Sequence, residues 1–284
     1  MTTVPVAATA ARAEVGRLRS LFDFYVTTMR TEIQTQFQYR AATYMYLLGM
    51  VAEPVIYLVV WSTIAEQSGG AVGGLTAGQF AAYYIVWTLV RTMNIVFTPY
   101  GWEWRIREGQ LSGQLLRPLH PIHYDVAQFA GGKIPWLLYY LPIAVVLTLV
   151  FNPTFDVRPA EVVAFAIAIW GAYLIRTFNQ SALGLITFWT TRVGALFSLY
   201  IVLELLLSGR LLPLTLMPEW VQAVAWVLPF RWTFYFPIEA LVGNLSNAEL
   251  LAGLGMQLLW TLIGIGVFSL VWKHAIRRYT AVGN

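Results

Sequence analysis

"RIREGQLSGQLLRPLHPIHYDV" (residues 105–126) is the stretch on which the reading of this chain turns. It carries Arg105, Arg107, Glu108, Arg117, His120, His123 and Asp125, punctuated by Gly and Pro. Apolar runs flank it: "QFAAYYIVWTLVRTMNIVFTP" (79–99) before and "IPWLLYYLPIAVVLTLVF" (134–151) after. About 20 apolar residues in a helix span a hydrocarbon core. A polar island between two such runs reads as a connector at a membrane surface.

Composition agrees. The 284 residues are 58% hydrophobic and 11% charged, against about 25% charged in a soluble domain. The aromatic share of 15% suits Trp and Tyr placed at two membrane interfaces. Further apolar stretches at 41–65, 160–188, 194–212 and 249–272 join 79–99 and 130–151 to make six expected spans. The expected fold class is an all-α membrane protein with six transmembrane helices. Residues 1–20 read as a loosely ordered cytoplasmic tail, 21–40 as an interfacial helix, and 41–284 as one six-span domain. Residues 1–20 hold no apolar core of signal-peptide length.

Charge orients the spans. An even number of crossings puts both ends on one side. That side collects Arg12, Arg17, Arg19, Arg30, Arg40, Arg105, Arg107, Arg117, Arg192, Lys273, Arg277 and Arg278. The other holds Arg158, with Arg210 and Arg231 near its interface. The positive-inside rule then places both termini and the island in the cytoplasm. Because these cations are scattered over loops flanking spans, the net charge of +4 does not form a nucleic-acid surface.

In 21–40, Phe22, Tyr25, Val26, Met29, Ile33, Phe37 and Arg40 recur at helical spacing, with Thr27, Arg30, Thr31, Gln34, Thr35 and Gln38 opposite. This amphipathic pattern suits a helix lying in the membrane interface. The segment 213–243 is apolar but broken by Pro213, Pro218, Pro229 and Pro237. Proline interrupts a helix by removing a donor and by steric clash. Two short helices, 218–228 and 231–242, fit between the breaks. They require shielding by protein, as a re-entrant pair on the outer side.

Chemical motifs are missing. There is no cysteine and no phosphate-binding loop; "AQFAGGKI" has Ala127 and Ile134 where that motif needs Gly and Ser or Thr. Lys133 reads instead as a residue at the cytoplasmic entry to the third span. "HPIH" (120–123) offers two imidazoles, short of the three or four ligands a metal centre takes, so no metal site is expected. No cluster of the kind an intramembrane enzyme needs is present. Glu53, Arg91, Arg176 and Glu204 fall within spans, where a charge costs at least about 2.5–3.5 kcal/mol. They line a substrate path, or they pair between helices as Glu53 with Arg91 and Arg176 with Glu204.

Two stretches carry a resemblance. "MPEWVQAVAWVLPFRWTFYFPIEALVG" (217–243) has an entering Pro-x-Trp, a central Leu-Pro-Phe and a closing Ala-Leu-x-Gly. "IREGQLSGQLLRPLHP" (106–121) has a Leu-Leu-Arg-Pro-Leu motif. Together they resemble the ABC-2 type transporter permeases, in particular an uncharacterised subfamily some of whose members are associated with export of viologens and other toxic organic cations. The resemblance implies that the island is a cytoplasmic coupling helix docking a separate ABC ATPase. The expected interface is Arg105, Arg107, Glu108, Gly109, Leu111, Leu115, Leu116, Arg117 and Pro118. Pro118 and Pro121 are expected to stop that helix. ATP and Mg would be bound by the partner ATPase, with no cofactor and no chemistry in this chain. A second permease is implied, with a heterodimer favoured, in a bacterial inner membrane. The expected cargo is amphiphilic or hydrophobic, with Glu53, Tyr57, Trp61, Arg91, Tyr200 and Glu204 as candidate path residues. Rival readings are a permease for a lipid or lipid-linked polysaccharide, an intramembrane enzyme, and a membrane anchor without transport.

Overall fold

The computed structural model describes residues 6–190, 192–243 and 245–279, without the side chains of 6–15 and 17. Residues 1–5 of the expected tail, Thr191 of the connector 190–194, the last five residues of the expected domain, and the side chains of Arg12 and Arg17 lie outside this description. The architecture is all-α apart from one two-residue hairpin.

Helix α1 (Val6–Gln38) is continuous, so the segment expected as a loose tail is helical from Val6. Ala7, Ala8, Ala10, Ala11, Ala13 and Leu18 are strong helix formers, and only Gly16 opposes them. α1 packs along α6 (Pro121–Phe151). The half-buried stripe is Leu21, Phe24, Tyr25, Thr28, Met29, Glu32, Ile33 and Gln36, at the spacing of one helix face. The expected apolar face is therefore split. Tyr25, Met29 and Ile33 turn toward α6, while Phe22, Val26 and Phe37 stay exposed. The helices meet closely at Gly131, where a Cβ would stand 2.7 Å from the Met29 backbone.

α2 (Arg40–Gln67) follows after a kink at Tyr39. The Gly-rich stretch 67–78, expected as a flexible loop, folds into strands β1 (Ala71–Val72) and β2 (Leu75–Thr76). Gly73 and Gly74 both have positive φ (57° and 85°), as a two-residue hairpin turn with the right twist demands. Thr76 then caps α3 (Ala77–Met93) in a reciprocal capping box with Gln79.

α3 is the central post, packed by α2, α6 and α10 (Tyr235–Val242). Phe80, Tyr84, Trp87 and Val90 on it are fully buried. Its tyrosines hold irregular backbone in place: Tyr83 and Tyr84 donate to the carbonyls of Gly209 (2.7 Å) and Leu211 (2.9 Å). The chain unwinds at 95–98, and Pro99 opens α4 (Pro99–Arg107) with Thr98 extended before it. α5 (Gln110–Leu115) follows. The remaining helices are α7 (Pro159–Gly184), α8 (Gly194–Leu207), α9 (Glu219–Val227) and α11 (Asn247–Ala275).

Among the described residues, four helices are long and apolar enough to cross a membrane: α2, α6, α7 with its extension to Phe188, and α11 with its extension to Arg278. The second and fifth expected spans form shorter helices, α3 with 17 residues and α8 with 14. At about 1.5 Å per residue these reach only about 25 and 21 Å. α3 stops where the chain unwinds before Pro99, and α8 stops before Gly209, whose φ is +80°. The proline-broken segment makes α9 and α10, joined by a 3₁₀ turn at Pro229–Trp232.

Candidate functional site

The first polar constellation sits where α2, α3, α7 and α8 approach the segment after α8. Glu53 on α2 pairs with Arg91 on α3 (2.7 Å), and Arg176 on α7 pairs with Glu204 on α8 (2.7 Å). Arg210 joins the pairs, 3.1 Å from Glu204 and 3.5 Å from Glu53. The result is one chain of alternating sign: Arg91, Glu53, Arg210, Glu204, Arg176. Three guanidiniums face two carboxylates, leaving one net positive charge. Glu204 is fully buried and Glu53 is one-third exposed. The excess charge lies over aromatic faces: Arg210 over Phe234 (5.3 Å) and Trp87 (5.9 Å), Arg176 over Phe234 (5.4 Å), and Arg91 over Trp87 (5.3 Å). Such contacts are worth about 0.5–2 kcal/mol each.

The cations also satisfy backbone that the breaks leave open. Pro54 has no N–H, so the Met50 carbonyl one turn earlier loses its helical donor. Arg91 supplies a substitute at 3.2 Å. At the unwound end of α3, Arg176 donates to the Asn94 carbonyl and Lys133 to that of Ile95 (2.9 Å). Positive charge at a helix C-terminus is favourable. Lys133 is thus not an interfacial residue at the entry to a span. It is fully buried on α6, with its ammonium 4.0 Å from the Tyr173 ring centre.

The other predicted path residues lie around this chain. Tyr57, one turn from Glu53, packs by Tyr84 and Trp87, and Trp61 stacks on Phe80 (5.7 Å). Tyr200, one turn before Glu204, packs against Phe197 and Phe230.

The second constellation is the island. Arg105 is buried and makes a two-pronged pair with buried Asp125 (2.6 and 2.9 Å), its guanidinium 3.9 Å from the Phe97 ring centre. Leu111 is also fully buried, in a cluster with Trp102, Ile122, Leu185 and Phe268. Trp102 fills a slot left by Gly184, where a Cβ would stand 2.6 Å from its side chain. Gly109 turns the chain between α4 and α5 with φ +68°, and Tyr279 near the end of the described chain donates to its carbonyl (3.3 Å). Glu103 on α4 accepts from the Val193 N–H before α8 (2.9 Å). These contacts fix the island to α6, α7, α8 and α11. α5 ends at Leu115, ahead of Pro118, and Pro121 opens α6 instead of closing α5.

Above this anchored layer the island presents Arg107, Glu108, Leu115, Leu116, Arg117 and Pro118 to solvent. Leu116 is 89% exposed. Trp104, which the sequence reading passed over, is exposed one turn before Arg107 and Glu108. The histidines serve structure here. His120 caps α6 by accepting from the Ile122 N–H (3.2 Å) and packs on Trp272, and His123 hydrogen-bonds Tyr25 of α1 (2.9 Å). Burial, with His123 nearby, pushes His120 down to about 4, so it is neutral at pH 7.

The fold defines a multi-pass membrane protein, and its island stands on buried contacts of Arg105, Asp125 and Leu111. Residues 51–283 match the family described as ABC-2 family transporter protein, and the chain belongs to that family. Members of the family are membrane transport components that lack an ATPase domain of their own and normally work with ABC ATPase partners. No curated protein matches the chain at a significant level.

Proposed function

We propose that this chain is the transmembrane permease subunit of an ATP-driven exporter, coupled to its ATPase through the island 105–118. The observation that carries the reading is the exposed apolar pair Leu115 and Leu116 between exposed charges, on a base held by the Arg105–Asp125 pair and Leu111. Exposed apolar anchors rimmed by charge mark partner surfaces. In this reading Arg105, Gly109 and Leu111 hold the docking face, and Arg107, Glu108, Leu115, Leu116, Arg117 and Pro118 form it.

The proposal has six crossings. α3 and α8 complete the four long helices, their short reach made up by irregular backbone shielded within protein. Both termini are cytoplasmic, α1 lies in the interface with Phe22, Val26 and Phe37 toward lipid, and α9–α10 form the outer re-entrant pair. Two permeases, by resemblance unlike ones, enclose the path in a bacterial inner membrane. The cargo is an amphiphilic or hydrophobic small molecule. Recognition of an organic cation by Glu53 or Glu204 is disfavoured, because both carboxylates are neutralised by arginines. Apolar and aromatic surface is left to hold it.

The test is co-purification with a nucleotide-hydrolysing subunit. Leu116→Glu should weaken that complex by about 2 kcal/mol, roughly 30-fold, with the permease's own unfolding midpoint unchanged. An undiminished complex with undiminished ATP turnover rejects the reading.

A further inference from the structure

One cavity is lined by residues that belong to neither constellation. It has a volume of about 220 Å³, between the α9–α10 segment and the start of α11. Its walls include Trp226, Trp232, Tyr235 and Phe236, and three charged groups line it, Arg231, Glu239 and Glu249.

Arg231 and Glu239 are unsatisfied in complementary ways. Arg231 lies over Tyr235 (4.8 Å) and Trp232 (5.7 Å), and its buried Nε has no hydrogen-bond partner. Trp232 is 5% exposed, and its Nε1 is buried without a partner. Both residues line the cavity, and neither of these donors has a partner among the described residues. Glu239 forms no ion pair with Arg231 or with any other cation among the described residues. Its carboxylate folds back over Gly243, where any Cβ would collide with it. The closing glycine of the Ala-Leu-x-Gly motif is thus the residue that gives Glu239 room. Glu249, the other carboxylate of the cavity, is engaged by Ser246 in capping α11.

Buried donors and charges left unpaired are costly. A ligand of one sign relieves only one side. An anion meets Glu239, and a cation meets Arg231, which already covers two aromatic faces. A molecule carrying both signs satisfies both. We propose that this cavity binds a zwitterionic amphiphile, its phosphate or carboxylate on Arg231 and Trp232 Nε1 and its ammonium on Glu239. Leu245, Ala252 and Met256 continue the wall as apolar surface for the adjoining chain. The proposal does not depend on the coupling reading of the island. Its chemistry fits either a zwitterionic phospholipid headgroup or a transported zwitterion.

The test uses the full chain in a nonionic sugar detergent with three probes: lysophosphatidylethanolamine, lysophosphatidylglycerol and dodecyltrimethylammonium. The zwitterionic probe should bind about tenfold more tightly than either single-sign probe and raise the unfolding temperature most. E239Q should erase its advantage over the anionic probe, and R231Q its advantage over the cationic one. R231K and W232F, which keep charge and aromatic packing, serve where R231Q fails to fold; each should weaken the zwitterionic probe while keeping the sign preference. Mass spectrometry separates the sources. A zwitterionic phospholipid retained at one per chain, and lost in E239Q, identifies a resident lipid. An empty site, with ATP turnover of the assembled transporter stimulated by the zwitterionic probe, identifies a cargo. Equal binding of all three probes, an unchanged preference in E239Q, or undiminished binding of the zwitterionic probe in both R231K and W232F overturns the proposal.

Discussion

The charge chain and the island are two polar regions of a largely apolar protein, and they treat their charges in opposite ways. In the chain every ionic group faces one of opposite sign, and the surplus positive charge rests on Trp87 and Phe234. In the island one pair is buried as a foundation, and the rest stands in solvent beside exposed leucines. The difference follows from solvent. A charge between spans has no water to return to, so it must be paired and becomes an element of packing. A charge at the membrane surface is already solvated and stays available to a partner.

Glu204→Gln gives the largest expected effect. It leaves Arg176 and Arg210 buried without their shared carboxylate. Removing one partner of a buried pair costs roughly 3–5 kcal/mol. Thermal unfolding of the purified chain should show that loss, while Leu116→Ser should change stability by no more than about 0.5 kcal/mol. Should Glu204→Gln unfold at the wild-type temperature yet fail to support transport, the chain of charges belongs to the cargo path and not to the packing.

A smaller effect separates the two layers of the island. Gly109 holds φ +68°, and a Cβ there would meet nothing within 4 Å. Gly109→Ala therefore acts through the backbone alone, at a cost of about 1–2 kcal/mol. It should re-aim α5 against α4 and lower ATP turnover of the assembled transporter, leaving the Arg105–Asp125 base intact. Unchanged turnover would mean that the angle between α4 and α5 does not matter to docking.

What could be read from the amino acids follows a physical line. Pro218 and Pro229 mark breaks, so the expected helices 218–228 and 231–242 lie close to Glu219–Val227 and Tyr235–Val242. Opposite charges inside spans must meet, so the pairs Glu53–Arg91 and Arg176–Glu204 were open to inference. Arg210 was missed because it follows an apolar run and so resembles a residue at a membrane surface; only the early end of α8 at Leu207 brings it inside. Arg105 and Asp125 are 20 positions apart across two helices, and no periodicity links them. That Arg91 would serve the Met50 carbonyl exposed by Pro54 required the packing of α2 on α3. Lys133 was misplaced because a lysine beside two glycines reads as a loop. Gly131 is there to let α1 approach α6, and the lysine answers the open end of α3.

The smallest expected effect concerns pH at the base of the island. His120 is held at about 4 by burial, with His123 adding to the shift, against 6.5 for a free imidazole. Between these values the unfolded chain binds a proton that the folded one refuses, so stability falls as pH drops below 6.5 and levels off near 4. Above 6.5 the contribution is complete and pH-independent. The groups facing His120 are the rings of Trp272 and Phe268 on α11, with His123 on α6. A charged imidazole there would also lose its role as acceptor for the Ile122 N–H and so loosen the start of α6. The unfolding temperature should decline from pH 6.5 to 4.5, and His120→Asn, which keeps an acceptor at the cap but does not titrate, should flatten that slope. If Glu204→Gln removes the slope instead, the acid-sensitive element lies among the spans and not at the surface.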